Sequence, residues 1–251
     1  MKDYNYINSH SWKCLLGKQS KNVIESNGLY RWEVGSKKHF CTDRNLEISD
    51  LDLIKGYNFH YLSVNNINFL KNHVSLNKSK GLATAIKIEE ISLVGDKNKS
   101  LRYAINRGKK YGLVVEENYR NINDVYKMVN EWSNVLAQKY FRDNSSKNEH
   151  FYRNNWHLEC HNVFLYDKDD LVSFGSASPG VDGYSSYVVG KALCNRYYGL
   201  SEYTDYLLYQ KCLQNEIKIV DLGQTTGGMI FYKGKFGGSF TYNFYNGKIN
   251  V

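Results

Sequence analysis

Proline is nearly absent from this chain, with one example in 251 residues, and methionine is scarce at three. Long hydrophobic runs are lacking too. The most apolar stretch, Ile86 to Val94, is broken by Lys87, Glu89 and Glu90, and nothing approaches the roughly 20 apolar residues that span a bilayer. That excludes a transmembrane helix and predicts no integral membrane contact. The chain opens Met1, Lys2, Asp3, Tyr4 with no apolar segment behind it, which argues against a secretory leader and for the cytoplasm. The five cysteines (Cys14, Cys41, Cys160, Cys194, Cys212) are odd in number and form no Cys-x-x-Cys, as expected of reduced thiols rather than of a disulfide or zinc framework. The low proline and the 22 tyrosines fit the composition of an AT-rich genome and carry no functional signal.

What is present is ordinary globular material. Hydrophobic residues at 42% and charged residues at 23% lie far from the corner where chains stay disordered. The length suits one large domain, or a full domain with a reduced companion. A net charge of +8 favours polyanionic partners such as RNA, nucleotide phosphates or anionic lipid, without choosing among them.

Along the chain, short apolar runs at Leu29 to Val34 and Tyr57 to Val64 predict strands in the first 80 residues, and Gly81 to Val94 predicts an extended segment. The polar stretch Gly95 to Lys99 marks a junction, which divides the chain into residues 1–96 and 97–251. Beyond it, Leu101, Ala104, Ile105 and Gly108 fall at helical spacing with Ser100 as the expected N-cap. Lys97, Lys99, Arg102, Arg107, Lys109 and Lys110 crowd around that helix with no acidic residue among them, an arrangement suited to phosphates. Val125, Met128, Val129, Trp132, Val135 and Leu136 predict an amphipathic core helix over 123–139. Strands follow at Asn162 to Tyr166, Leu171 to Ser176 and Tyr184 to Val189, then a helix over 201–215, a strand over Ile217 to Leu222, a Gly-rich turn, and a last strand at Phe240 to Tyr245.

Several strings in this order resemble a known group. Leu101 to Gly112, Gly199-Leu200-Ser201-Glu202-Tyr203, Val220-Asp221-Leu222-Gly223 and Phe231-Tyr232-Lys233-Gly234-Lys235-Phe236-Gly237-Gly238 look like their counterparts in Fem-type aminoacyltransferases and in the soluble C-terminal domain of phosphatidylglycerol lysyltransferases, both of the GNAT-like acyltransferase superfamily. The resemblance covers residues 97–251. It implies an α/β GNAT-like fold, a mixed, mostly antiparallel sheet flanked by helices, with residues 1–96 as a reduced second GNAT-like half. It also implies an N-acyltransferase that moves an acyl group, often an aminoacyl group from charged tRNA, onto an amine of a small-molecule, peptide or envelope-precursor acceptor. The donor would be a co-substrate, with no permanently bound cofactor.

Aminolysis of an ester passes through a tetrahedral oxyanion, so a site needs donors aimed at developing negative charge and a route for the amine proton. Lys233 matches the lysine of the resembling Lys-x-x-Phe-Gly string and is the expected catalytic cation; read by itself, it is a surface lysine in a turn. Arg102, Arg107, Lys109, Lys110 and Lys235 are expected on substrate, and Tyr187 and Tyr203 in an acceptor pocket, although tyrosines so placed commonly complete a core. Arg196, Gly199, Leu200 and Ser201 sit where a turn enters a helix, a place suited to a donor's phosphate. Acyl-CoA enzymes of this superfamily carry a second small residue, Gly or Ala, where Ser201 stands. That departure favours aminoacyl-tRNA over acyl-CoA, which stays open as the alternative donor, as does a non-catalytic RNA- or lipid-head-group-binding relative. His157, His161, Glu159 and Cys160 lack metal-ligand spacing, so no metal is expected. His157, His161 and Glu202 could each serve as a base, and none is assigned, because the amine can also lose its proton to water or substrate.

Overall fold

The computed structural model describes residues 23–140, 160–180, 183–225 and 227–250. In chain order the elements are β1 (Ile24–Ser26), β2 (Leu29–Val34), β3 (Lys37–Thr42), α1 (Leu51–Ile54), β4 (Asn58–Leu62), α2 (Val64–His73), β5 (Leu76–Lys87) and α3 (Lys99–Lys110). They continue with β6 (Val114–Glu116), α4 (Ile122–Tyr140), β7 (His161–Asp167), β8 (Asp170–Ala177), β9 (Tyr184–Ala192), α5 (Leu200–Gln214), β10 (Ile219–Gln224), α6 (Gly227–Gly234) and β11 (Ser239–Ile249). The strands form one sheet in the order β1-β2-β3-β4-β11-β5-β10-β9-β8-β7-β6. Two neighbouring pairs, β3 with β4 and β9 with β10, are parallel, and the rest are antiparallel.

Side-chain alternation explains the layering. In β7, Val163 and Leu165 point to a core shared with Leu101 and Ile105 of α3 and Leu208 and Cys212 of α5. Phe164 and Tyr166, between them, point to the opposite core, shared with Val125, Met128 and Val129 of α4. Helices therefore cover both faces of this part of the sheet, which is why β7 and β8 read as nearly unbroken apolar runs. A third core (Leu29, Phe40, Phe59, Leu62, Ile67, Leu70, Ile249) lies under α2.

The junction near residue 96 is a short turn that leads into α3, and the sheet runs across it. β5, from before the junction, lies between β10 and β11 from after it, while β11 also pairs with β4. Two local expectations change. Asn98 rather than Ser100 caps α3, and its side chain donates to Val94 O at 2.8 Å, tying the helix to the preceding loop. The expected Gly-rich turn is the helix α6, because the glycines fall at its ends and leave Met229 to Lys233 as its interior.

Candidate active site

β9 and β10 run parallel for three residue pairs, Tyr184–Ile219, Ser185–Val220 and Ser186–Asp221, and then part. β9 continues alongside β8 and β10 alongside β5, so a cleft opens between their carboxyl ends, where α/β sheets bind ligands. The parting is marked by a bulge. Ala177 faces Tyr187 and Ser176 faces Val189, which leaves Val188 as an extra residue in β9 and re-aims its neighbours. α5 begins beside this cleft. Its N-cap, Gly199, has φ +80°, and a Cβ there would lie 2.4 Å from Ala104 O, so only glycine lets the helix start seat against α3.

The wall on the β9 side is a chain of hydrogen bonds around one buried carboxylate. Asp205, on α5, is 4% exposed. Its Oδ1 accepts from the Tyr187 hydroxyl at 2.8 Å and its Oδ2 from the Tyr232 hydroxyl at 2.7 Å. Tyr232 Oη in turn lies 2.6 Å from Ser201 Oγ in the first turn of α5. Burial pushes the Asp205 carboxyl up to about 6, against the pull of the two phenol hydrogen bonds. Burial and the neighbouring Asp205 charge push both phenols well above their ordinary range. The result is a continuous path of exchangeable protons from the helix start to the bulge.

The wall on the β10 side is built around a cation. Lys233 Nζ donates to Leu222 O at 2.7 Å, Gly223 O at 3.2 Å, Gln224 O at 3.0 Å and Thr225 Oγ1 at 3.0 Å. Thr225 Oγ1 also lies 2.8 Å from Thr84 Oγ1 on β5, and Thr225 N donates to Leu82 O at 2.8 Å. Asp221 accepts from Gly223 N at 2.9 Å and from the Tyr242 hydroxyl at 2.6 Å. Burial lowers the Lys233 ammonium to about 8, opposed by the Asp221 charge.

Several of the expected site residues have other partners in the structure. Lys233 is 6% exposed and has four acceptors for three protons, so its ammonium is engaged by the last residues of β10 and by Thr225. Arg196 forms an ion pair with Glu131 on α4. Tyr203 packs on Gly108, where an added Cβ would lie 2.5 Å from Tyr203 Cβ, so it forms the contact where α5 crosses α3. Leu200 is fully buried in the core. Arg102 turns back onto Leu93 O at 2.6 Å and Gly95 O at 3.2 Å, fixing the loop before α3. Lys235 pairs with Glu202 Oε1 at 2.8 Å on the rim of the α5 start. Arg107 and Lys110 are exposed, and Lys109 Nζ sits 5.6 Å from the Tyr206 ring centre. Lys97, Lys99 and Arg102 border an open groove of about 640 Å³ with the exposed rings of Tyr103 and Tyr198. His157 and Glu159 lie outside the described residues. His161 lies on β7, where burial lowers its pKa, and no group of three metal-ligating side chains occurs among the described residues.

Asp205 and Tyr232 were not anticipated. One signal was available: Ser201, Asp205, Leu208 and Cys212 share a face of α5, and a carboxylate within such a stripe must find buried partners.

No protein-family model matches the chain, and no curated protein matches it in sequence. Solved structures do match. A conserved protein of unknown function from Bacteroides thetaiotaomicron VPI-5482 superposes with a TM-score of 0.69 at 14% identity, over 98% of this chain and 91% of that one. L-PGS from Bacillus licheniformis gives 0.64 at 13% identity, over 88% and 80%. FemX gives 0.58 at 10% identity, over 94% and 90%. The fold is GNAT-like. It is the mixed, largely antiparallel sheet with flanking helices shared by Fem-type aminoacyltransferases and the C-terminal domains of lysylphosphatidylglycerol synthetases. Among the described residues no helix is long and apolar enough to cross a membrane.

Proposed function

We propose that the protein is an N-acyltransferase that moves an aminoacyl group from aminoacyl-tRNA to an amine acceptor. The observation that carries this reading is the parting of β9 from β10 at a bulge, with the start of α5 and a buried proton path on one wall. A helix N-terminus favours negative charge, whether a phosphate of the donor or the oxyanion formed when an amine attacks an ester carbonyl. Attack forms a C–N bond and breaks the ester C–O bond. The proton lost by the amine enters the path Ser201–Tyr232–Asp205–Tyr187, and a proton from the same path reaches the departing 3′-hydroxyl oxygen. A carboxyl at about 6 is matched to this exchange near neutrality. In this scheme Lys233 is a positioning residue that holds the β10 loop. The groove beside α3 supports the choice of donor, since Lys97, Lys99, Tyr103 and Tyr198 combine cations with exposed rings, as nucleic-acid grooves do.

Titration of the protein with total aminoacyl-tRNA and with acetyl-CoA at 50 and 200 mM salt tests the assignment. Binding of tRNA that weakens steeply with salt, together with amine acylation abolished by RNase, is the expected result. Tight acetyl-CoA binding with no RNA affinity would replace the donor and keep the reaction. Affinity for neither would remove the activity.

A further inference from the structure

The first half of the chain also sends a side chain to the carboxyl end of β10. Asn58, Phe59 and Leu62 of β4 pair with Lys248, Gly247 and Tyr245 of β11, so His60 and Tyr61 together face the single residue Asn246. This is a second bulge, and its geometry is costly. Tyr61 has φ +55°, in the left-handed region, where a bulky aromatic residue is a genuine outlier. Two contacts hold it there. Tyr61 N donates to Asn246 Oδ1 at 2.9 Å. The ring stacks on Phe244 at 4.3 Å and 24°. Phe244 itself lies across Gly81, where a Cβ would come within 2.3 Å of the ring, so any other residue at 81 would dislodge the stack.

A residue needed only to fill the core would not require this conformation. What the conformation achieves is reach: it carries the Tyr61 ring over Phe244, which pairs with Gly81 beside Leu82, the acceptor of Thr225 N, and burial together with the Asp221 charge raises the pKa of the phenol there. The Tyr61 ring thus lies beside the carboxyl end of β10, which Lys233 holds, with the Asp221 charge near enough to act on it. The ring is not fully covered. Strain of this kind persists where the surroundings enforce it, and bulges beside active sites re-aim side chains. The β9 bulge re-aims Tyr187 on the facing wall in the same way.

We propose that Tyr61, supplied by residues 1–96, is a binding residue for the amine acceptor: its phenol oxygen accepts an N–H of the incoming primary amine or ammonium, and the Asp221 charge favours the cationic form. The inference rests on the acyl-transfer reading for its role in catalysis, but the subsite can be tested apart from it. Butylamine serves as the probe, titrated by NMR into the wild type and Tyr61→Phe, with thermal midpoints measured in parallel. The expected result is about tenfold weaker binding to Y61F, equal to about 1.4 kcal/mol, at an unchanged midpoint. Equal affinity in the two proteins would overturn the proposal, as would no binding to the wild type. Should Y61F fail to fold, Tyr61→Asn takes its place, because asparagine tolerates positive φ and carries no phenol. Tyr61-dependent butylamine binding in a protein that acylates no amine would leave the subsite standing and remove the acyl-transfer reading. With an active enzyme, Y61F should raise the acceptor KM and leave the donor KM unchanged.

Discussion

The two walls of the cleft hold opposite charges and hold them differently. Asp205, on the β9 side, is bound by two phenols, each an exchangeable donor that can pass a proton onward. Lys233, on the β10 side, is bound mainly by backbone carbonyls, which accept hydrogen bonds but do not exchange protons. A carboxylate among phenols is suited to moving a proton; an ammonium among carbonyls fixes the shape of a loop. The walls also differ in origin. The Asp205 network comes wholly from residues after the junction, whereas the Lys233 loop leans on Leu82 and Thr84 of β5 and is reached by Tyr61 of β4.

The difference in origin gives the largest expected effect. Deleting residues 1–96 removes β5 from between β10 and β11 and β4 from the far side of β11, which leaves three strand edges unpaired and strips the β10 wall of its support. The fragment 97–251 should not form a stable monomer, as read by circular dichroism and sedimentation. A folded, monomeric fragment with native near-UV signal would show that the β9 wall and its helices are self-sufficient.

How much of this was legible in the sequence follows from the same contrast. The buried stripes of α3 and α4 and the strands β7 to β9 were readable because their apolar periodicity is local. The run Leu29 to Val34 was readable as a strand for the same reason, but its place in the sheet was not. Pairing of β5 with β11 joins residues more than 150 apart in number, and no local pattern records it. Lys233 shows the harder limit. Its string matched a known one, yet whether its ammonium faces a substrate or the carbonyls of Leu222 to Gln224 depends on α6 being a helix, and the glycines at 227, 228 and 234 suggested a turn. Tyr61 was invisible in principle, since nothing in Phe59-His60-Tyr61-Leu62 foretells a bulge against Asn246.

Replacing the cation tests the second contrast. Lys233→Met keeps the length of the side chain and removes the ammonium, which leaves the carbonyls of Leu222, Gly223 and Gln224 and the Thr225 hydroxyl short of a donor in a buried place. The expected loss is about 4 kcal/mol of stability, measured by urea unfolding at pH 7. If Lys233 acts only through the loop, acyl transfer at 10 °C by the folded fraction should fall less than tenfold. A collapse of turnover in protein that is still folded would return Lys233 to the reacting centre and erase the distinction between the walls.

The smallest effect is the most specific to the β9 wall. Asp205 is pushed up to about 6 by burial, from an ordinary value of 3.8, so the native state binds a proton between these limits that the unfolded chain has lost. The stability this contributes is complete below pH 4 and is lost as pH rises through 6, a change of about 3 kcal/mol. Asp205→Asn mimics the protonated acid, with one acceptor for Tyr187 and an amide donor for Tyr232, and removes the titration. The variant should therefore match the wild type at pH 4 and gain stability over it between pH 4 and 7, in paired urea melts. Its transfer rate should fall by about 10² or more, because an amide relays no proton. Greater stability with less activity would mean that the charge is kept at this position for chemistry, at a cost to the fold. Parallel stability curves for the two proteins would mean that Asp205 holds its charge no differently from a surface carboxylate.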